Sequence, residues 1–325
     1  VRKTTIMAVN ERRINISELD FDEIKDNLKV FLKGQTEFKD YDFEGSGMNI
    51  LLDTLAYNTH YLSFNANMLA NEMFLDSASL RSSITSHAKT LGYEVTSARA
   101  PIATINVSLT TDSATKTMSA GTAFSTSIDG TNYQFVTISD ATSSNNGGVV
   151  SFDSTKIYEG TYVVTKYLVD TSDVEQRFLL GSDRADTSTL SVRVQTSASD
   201  TTTTTYTKAT DITQLSSSST VYYLQEVDAG RFEVYFGDGV VSRSVADGNI
   251  VILEYVVTNK TLSNGASTFS SPSLIDGVSD ISVITVASAS GGAEPESLDS
   301  IKLQAPLDFA SQGRAVTSDD YVVYT

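Results

Sequence analysis

Acidic residues near glycines are the features of this 325-residue chain that come closest to a ligand-binding pattern. Asp40, Asp42, Glu44 and Gly45 follow the first half of a calcium-binding loop. The twelfth position of such a loop requires a bidentate carboxylate, and here that position is Leu51. We therefore predict no calcium site there, and we expect the acidic cluster to lie near a helix N-terminus, where negative charge is favoured.

Pairs of carboxylates could support glycoside hydrolysis, which needs two of them roughly 5–9.5 Å apart across a sugar. The nearest pairs in sequence are Glu226 with Asp228 and Glu294 with Glu296. Because the chain has 40 acidic residues, such pairs arise freely, and we interpret them as parts of a solvated surface. A lysozyme-like enzyme is kept only as a rival hypothesis.

Other catalytic and cofactor-binding patterns are missing from the sequence. The chain has no cysteine and two histidines, His60 and His87, which excludes thiolate chemistry and a multi-histidine zinc site. Gly237, Asp238 and Gly239 lack the lysine and hydroxyl residue of a phosphate-binding loop and instead predict a structural hairpin turn with positive φ. We predict that the protein is not an enzyme and that it holds no metal or cofactor.

The net charge of −17 is concentrated after residue 100. Residues 1–100 contain 11 basic and 14 acidic residues, a balance of −3, whereas residues 101–325 contain 12 and 26, a balance of −14. This acidic body argues against nucleic acid and membrane surfaces as partners, because both carry negative charge. The sequence has no run of 18 apolar residues and no apolar stretch at its N-terminus, so we expect no spanning helix and synthesis in a cytoplasm.

Helical periodicity dominates the first 100 residues. Ser17 is a suitable N-cap and Gly34 a suitable stop, and the apolar residues between them recur at helical spacing, which predicts a helix over about 18–33. A further helix is predicted over 78–91, directly before Gly92.

The most informative segment is a long predicted helix over 48–74. One apolar stripe repeats at alternating steps of four and three residues, as in a coiled coil, and a second stripe lies on another face. Two apolar faces need two sets of neighbours. Either the flanking helices close a three-helix bundle, or part of the second face meets another chain. The predicted partner-interface residues are Met48, Leu52, Leu55, Leu62, Leu69, Met73, Tyr57 and Phe64.

After Pro101 the apolar pattern changes to a period of two, which is typical of half-buried strands. Short strands separated by turns rich in Gly and Asp predict sandwich or barrel-like modules, so the predicted class is a multidomain α+β fold. The five threonines at 201–205 predict either a surface loop or an exposed edge strand. The predicted strands include 133–138, 149–152, 162–169, 189–194, 221–225, 232–236 and 250–257.

These patterns divide the chain into four parts. Residues 1–100 form an N-terminal helical bundle region, 101–196 a first β-rich module, and 197–286 a second β-rich module with the hairpin at Asp238. Residues 287–325 form a linker and the start of a truncated C-terminal domain, in which Pro306 is expected to interrupt a short helix. The strand-like ending predicts that the parent polypeptide continues.

Three segments together resemble a known family. They are 40–59, which begins with Asp-Tyr-Asp-Phe-Glu-Gly-Ser; 232–239, which reads Phe-Glu-Val-Tyr-Phe-Gly-Asp-Gly; and 314–321, which reads Arg-Ala-Val-Thr-Ser-Asp-Asp-Tyr. The first resembles the baseplate wedge protein of T-even-like contractile-tailed phages, and the other two resemble the broader baseplate J family. The resemblance reaches nearly the whole chain.

This resemblance implies a structural protein of the virion, assembled in the host bacterial cytoplasm and located in the tail baseplate. Two copies of the chain and a different, larger wedge subunit would form a heterotrimer. The N-terminal helices would join a bundle with this partner and a small sheath-initiating baseplate protein. Neighbouring wedges would then ring the hub and transmit the change that triggers sheath contraction. A β-rich tail adhesin or receptor-binding protein remains the alternative, because Ser/Thr-rich β modules also fit that role.

Overall fold

The chain folds into a helical unit and a β unit. The computed structural model describes residues 20–35, 46–173, 175–209, 215–227 and 230–311. The helical unit comprises residues 1–93 and 298–325, and the β unit comprises residues 94–297. The predicted multidomain α+β class is therefore confirmed. Among the described residues, no helix combines the length and the hydropathy that crossing a bilayer requires.

Several predicted features lie outside the described residues. They are the N-cap at Ser17, the acidic segment 40–45, Asp228 and the segment 314–321.

The described part of the helical unit contains four helices. α1 packs against α2, and α3 packs against α4. The helices predicted over 48–74 and 78–91 are present with slightly shorter bounds. These bounds are α1 Phe21–Lys33, α2 Gly47–Glu72, α3 Arg81–Thr90 and α4 Leu298–Ser311.

Three details of the helical unit differ from the predictions. α1 begins after Asp20, whose carboxylate accepts hydrogen bonds from the N–H groups of its first turn, so the helix starts later than predicted. α4 runs through Pro306, because one missing N–H is offset by the complete burial of Ile301 and Ala305 on the packed side of the helix. The first three helices do not close a bundle by themselves, since the main partner of α3 is the distant α4.

The first sheet of the β unit has the strand order β14-β1-β6-β4-β3, with β2 paired to β5 and β5 to β6. Alternate residues of β1, from Ala103 to Leu109, are fully buried, as the period of two predicts. The bounds are β1 Ile102–Thr110, β2 Thr115–Met118, β3 Ala123–Ile128, β4 Thr131–Val136, β5 Ala141–Asn146, β6 Val149–Glu159 and β14 Ile281–Ser290.

The second sheet has the strand order β7-β13-β9-β10-β11-β12-β8. Its pairs are antiparallel except β10 with β11, which is parallel. Its separate core includes Val192, Leu253 and Tyr255. The bounds are β7 Thr161–Leu168, β8 Phe178–Leu179, β9 Ala185–Gln195, β10 Thr203–Lys208, β11 Val221–Glu226, β12 Phe232–Phe236 and β13 Ile250–Val257.

The predicted module boundaries do not coincide with the sheets. The boundary after residue 196 falls inside the second sheet, because β9 and β10 pair across it. The threonines at 203–205 belong to β10, which lies between β9 and β11, so this segment is neither a loop nor an edge strand. The predicted linker begins within β14, at residue 287, because the last four residues of that strand belong to the first sheet.

The chain changes from one sheet to the other at Gly160. Its φ is +126°, and an added Cβ would lie 2.2 Å from the carbonyl oxygen of Val257. Beside it, the fully buried carboxylate of Glu159 accepts hydrogen bonds from the Thr258 hydroxyl at 2.7 Å and from the backbone and side-chain N–H groups of Asn259, both at 2.8 Å. These contacts join the end of β6 in the first sheet to the end of β13 in the second.

A second buried carboxylate reinforces this junction. Asp186 of β9 is 1% exposed and accepts a hydrogen bond from the N–H of Ala100 at 2.8 Å. Its other oxygen accepts from the N–H and hydroxyl of Ser188. Both carboxylates are thus satisfied by donors of the chain itself, as buried charges require.

Candidate partner interface

The predicted interface lies on α2, which is long and regular. Ser46 is its N-cap, and the Ser46 hydroxyl accepts a hydrogen bond from the N–H of Asn49 at 3.1 Å. The helix has 26 residues and so extends over roughly 39 Å at 1.5 Å per residue. The hydroxyls of Thr54 and Thr59 each donate to the carbonyl oxygen four residues earlier, at 2.9 Å. These two hydroxyls are therefore satisfied within the helix.

The face of α2 that is buried within the helical unit is narrow. Leu52, Ala56, Asn67 and Ala70 are at most 5% exposed and recur at helical spacing. α1 packs against this helix and contributes Ile24, which is 7% exposed. Most of the buried α2 side chains are small or polar, so packing within the chain covers one stripe of the helix and leaves most of its large apolar residues outside.

Two further stripes of large apolar side chains run along α2 and remain exposed. By the helical rotation of about 100° per residue, the stripes lie roughly 130° apart, with Asn58 and Asn65 between them. Their members are 44–67% exposed. Stripe A comprises Leu51, Leu55, Leu62, Leu69 and Met73, and stripe B comprises Ile50, Tyr57, Tyr61, Phe64 and Met68.

The two stripes carry no charge. The charged side chains of α2 are Asp53 and Glu72, and both make contacts inside the helical unit. Asp53 pairs with Lys25 of α1. Glu72 accepts hydrogen bonds from the N–H of Ser79 at 2.9 Å and from the Ser79 hydroxyl at 2.7 Å, directly before α3. A partner that covers these stripes would therefore bury no unpaired charge of α2.

Glu72 also fixes the connection between α2 and α3. Burial alone would raise the pKa of Glu72, but hydrogen bonds from Ser79, Ser83 and Leu80 outweigh it and lower the pKa to about 2. The Nε2 atom of His87 lies 2.8 Å from the carbonyl oxygen of Glu72. The end of the long helix is thus tied to α3 through both its side chain and its backbone.

The structure separates the predicted interface residues into two groups. Leu52 is 2% exposed and Met48 is half-buried, so Leu52 offers almost no surface to a partner in the free chain. Leu52 follows the heptad spacing, but it lies on the side of α2 that its own unit buries. Ile50 and Leu51 are missing from the predicted set, although their helical angles match the two stripes. The exposed members of the predicted set are Leu55, Leu62, Leu69, Met73, Tyr57 and Phe64.

The candidate catalytic carboxylates make structural contacts. Glu294 accepts a hydrogen bond from the Lys260 ammonium at 2.6 Å, and Glu296 accepts one from the N–H of Thr96 at 3.1 Å. Glu226 lies at the end of β11, and its predicted partner is outside the described residues. Within the described ranges, no group of three His, Asp or Glu residues could hold a metal ion.

The segment around Asp238 forms a tight turn. The Asp238 carboxylate accepts hydrogen bonds from the N–H of Val240 at 2.9 Å and from the next N–H at 3.2 Å, and these bonds lower the pKa of Asp238. Gly239 has a φ of +87°, and a Cβ on Gly237 would lie 1.9 Å from the Ser242 hydroxyl oxygen. The turn does not close a hairpin, because the neighbours of β12 are β11 and β8.

The β unit also carries a cleft of about 570 Å³ beside β3 and β4. Hydroxyl and amide side chains line it, including those of Ser125, Asn132 and Gln134, together with the rings of Tyr133 and Phe269. The lining contains no carboxylate, amine or imidazole, so this cleft offers no acid–base pair.

Comparison with known proteins identifies two matched regions. Residues 20–93 match a family described as "Baseplate wedge protein gp6-like, helical domain". Residues 167–266 match a family described as "Bacteriophage baseplate wedge protein gp6, third domain". The first region contains α1, α2 and α3, and the second contains most of the second sheet.

One relative matches nearly the whole chain. The baseplate wedge protein gp6 of Enterobacteria phage T4 is 31% identical over 333 residues, which cover 93% of this chain and 48% of that protein. The chain therefore spans about half the length of this relative. The predicted resemblance to wedge proteins is confirmed, whereas the link to the baseplate J family stays a prediction.

A chain from the cryo-EM structure of the anti-feeding prophage baseplate, 6-fold symmetrised, is also similar. It is 14% identical with a TM-score of 0.35, and the match covers 94% of this chain and 63% of that chain. Agreement this low carries no argument about the fold. The two matched regions and the phage T4 relative show that the chain is similar to baseplate wedge proteins of the gp6-like family.

Proposed function

We propose that the protein is a structural subunit of the baseplate wedge in a contractile phage tail, and that stripes A and B of α2 bind helices of other wedge chains. The observation that carries this proposal is that α2 exposes large apolar side chains on two stripes while its own unit covers a third. A helix that is apolar on every side is normally an interior helix of its assembly.

The two stripes define what the partners must provide. Burying one large apolar side chain contributes about 1.5–3 kcal/mol, so each stripe can stabilise one packed helix. Because the stripes lie on different sides of α2, they require two neighbours. We assign one to a second copy of this chain and the other to a different, larger wedge subunit, which together form a heterotrimer. The small sheath-initiating baseplate protein would join the same bundle.

Asn58 and Asn65 lie between the stripes and have a different role in this proposal. Amides at helix interfaces fix register, because a shifted arrangement would leave them unpaired. They would thus select the correct alignment of the bundle.

The β unit would connect the bundle to neighbouring wedges around the hub. Its two sheets have separate cores and are joined by the buried carboxylates of Glu159 and Asp186. A unit joined in this way can move as one body. In this role it would transmit the change that triggers sheath contraction, within a virion assembled in the bacterial cytoplasm.

Co-expression with the neighbouring wedge proteins tests the bundle. We expect native mass spectrometry to show two copies of this chain with one larger subunit. Leu55→Glu combined with Leu62→Glu should abolish that complex, because both changes put charge into stripe A. Leu303→Glu, which puts the same charge on an exposed leucine of α4, is the matched control and should leave the complex intact.

Circular dichroism shows whether a variant that loses the complex is still folded. Leu55 and Leu62 are exposed in the free chain, so the variant should retain its helical signal. Survival of the complex in the folded double variant would show that stripe A is not the interface.

A tail adhesin is the second candidate, and the neutral cleft at β3 and β4 is the observation that favours it. Hydroxyls, amides and aromatic rings suit an uncharged saccharide. Direct binding of a glycan to the isolated protein, lost in Tyr133→Ala, would support this role. If no glycan binds while the wedge complex forms, the adhesin hypothesis fails.

A further inference from the structure

β14 has one open backbone edge. On one side it pairs with β1, with Val283 opposite Val107 and Ile281 opposite Leu109. On the other side its C-terminal end is covered, since Ala289 accepts from Gly265 at 2.7 Å and donates to Ala266 at 2.8 Å. Within the part of the chain that the structure describes, no segment pairs with this side of β14 between residues 281 and 287.

The ladder with β1 shows which backbone groups face the open edge. Thr110 donates its N–H to the carbonyl oxygen of Asp280 at 3.1 Å. In an antiparallel ladder every second residue bonds to the same neighbour, so the even-numbered residues from 280 to 284 bond to β1. The N–H and C=O groups of Ile281, Val283 and Thr285 therefore point away from β1. A register shift after Thr285 ends this straight segment.

The side chains of β14 are apolar on both faces. Ile284 and Val286 are 64% and 55% exposed on the outer face. Ile281 and Val283 pack against the core on the inner face but remain partly exposed, because no further strand covers them there. From Ile281 to Ser290 the strand has no charged residue. An uncharged, apolar edge of this length is a template for another strand.

The other sheet edges in the described part of the chain lack this combination. The edge of β3 is covered, because Ser125 and Ser270 exchange backbone hydrogen bonds at 3.1 and 2.7 Å. β7 carries Lys166, a residue type that discourages edge pairing. β2, which pairs only with β5, carries Lys116, and β8 has two residues.

We propose that β14 pairs in antiparallel orientation with β14 of a second copy, about a two-fold axis at Val283. In this register Val283 lies opposite its own counterpart and Ile281 lies opposite Thr285. All three residues with outward-facing backbone groups then form hydrogen-bonded pairs, and all three side chains are β-branched, which favours cross-strand packing.

Self-complementarity selects a second copy as the occupant, because in the symmetric register each of the three outward-bonding residues meets a β-branched residue. A chain with a net charge of −17 can approach itself closely where the facing surfaces are uncharged, and β14 provides such a strip. Asp280, the nearest acid, would lie opposite Val286 and not opposite another acid. The paired strip is short, so its buried area falls below the roughly 1,200 Å² of stable interfaces, and the dimer should depend on concentration.

Single cysteines test both the pairing and its register, because the chain has no cysteine of its own. In a hydrogen-bonded antiparallel pair the Cα atoms are about 5.5 Å apart, within the roughly 4.4–6.8 Å that a disulfide spans. Val283→Cys should therefore give a covalent dimer under mild oxidation. Ser282→Cys and Thr285→Cys lie opposite other residues and should give far less. Val164→Cys on the exposed edge of β7 controls for random collision.

Crosslinking that peaks at residue 283 supports the proposal. Equal or stronger crosslinking at 282, 285 or 164, or none at any position in folded protein, overturns it. A second variant, Ile284→Lys, changes an exposed side chain and should shift the untethered chain to monomer in sedimentation velocity without changing its thermal unfolding. A dimer that persists in Ile284→Lys would also overturn the proposal. Neither readout depends on the wedge role.

Discussion

The helical unit and the β unit place their large apolar side chains in opposite positions. In the β unit, Leu109, Phe124 and Leu253 are fully buried in the two sheet cores. In the helical unit, Leu62 of α2 and Met73 at its C-cap are 61% and 67% exposed. The β unit thus completes its own core, whereas the long helix leaves most of its large apolar side chains exposed.

The two units also differ in how they use carboxylates. In the β unit, Glu159 and Asp186 are buried at the junction between the sheets. In the helical unit, Glu72 accepts a hydrogen bond from Ser79 and Asp53 pairs with Lys25, and no member of either stripe of α2 is charged. Buried, hydrogen-bonded carboxylates therefore stabilise the junction inside the β unit, whereas the proposed binding surface of the helical unit contains no charged side chain.

The largest expected effect comes from comparing leucines of the two units. Leu253→Ala should destabilise the chain by about 2–5 kcal/mol, because it leaves a cavity in a closed core. Leu62→Ala should change stability by less than about 0.5 kcal/mol, because that side chain already contacts water. Denaturant unfolding of each purified variant measures both values. Equal destabilisation would mean that the exposed stripe belongs to a core of the free chain.

A smaller effect is expected from the sheet junction. Glu159→Gln replaces one acceptor oxygen by a donor that faces other donors, so we expect a loss of about 1–3 kcal/mol in the free energy of unfolding. Glu294→Gln is the matched control, and because Glu294 forms an exposed ion pair it should cost at most about 1 kcal/mol. Thermal unfolding followed by calorimetry distinguishes them. A similar loss of unfolding free energy in both variants would show that the Glu159 carboxylate does not stabilise the sheet junction.

The smallest effect concerns the pH dependence of the helical unit. The folded pKa of Glu72, about 2, lies below its ordinary value of 4.5. A lowered carboxyl pKa stabilises the fold above the ordinary value, and this contribution is lost as the pH falls from about 4.5 towards 2. Glu72→Gln should therefore lose part of the acid sensitivity of the helical signal in circular dichroism.

Asp76→Asn provides the control for this pH series, since Asp76 is an exposed residue in the same loop. Its acid profile should follow that of the unchanged chain. If Glu72→Gln also follows the unchanged profile, the hydrogen bonds at Ser79 do not contribute to the stability of the helical unit.

Local patterns predicted α2 and α3 well and the strand network only in part. α2 differs from its predicted bounds by one or two residues, because its apolar stripes repeat over the whole helix. The strands at 232–236 and 250–257 have the predicted bounds for the same reason, namely a clear local alternation or apolar run. β10 and the last four residues of β14 were misjudged, since their polar or small residues resemble a loop until their pairing partners are known.

The apolar stripes of α2 were predicted in position, but which of their residues are exposed was predicted only in part. Spacing alone identified two apolar stripes on α2, and exposure confirms that residues such as Leu55 and Phe64 face outward in the free chain. Leu52 fits the same spacing, yet it is buried next to α1. Which side of an all-apolar helix its own chain covers depends on where other helices pack, and periodicity does not encode that.

The sequence by itself determined the α+β class, the long helix with its apolar stripes, and the lack of cysteine chemistry. These follow from composition and from spacings of two to seven residues, which act within one element. The tertiary structure alone decided that α4 returns to α3, that β14 joins β1, and that Glu159 is buried at a sheet junction. Each of these outcomes joins residues far apart in the chain, and their partners are chosen by packing and by the hydrogen bonds that buried carboxylates such as Glu159 require.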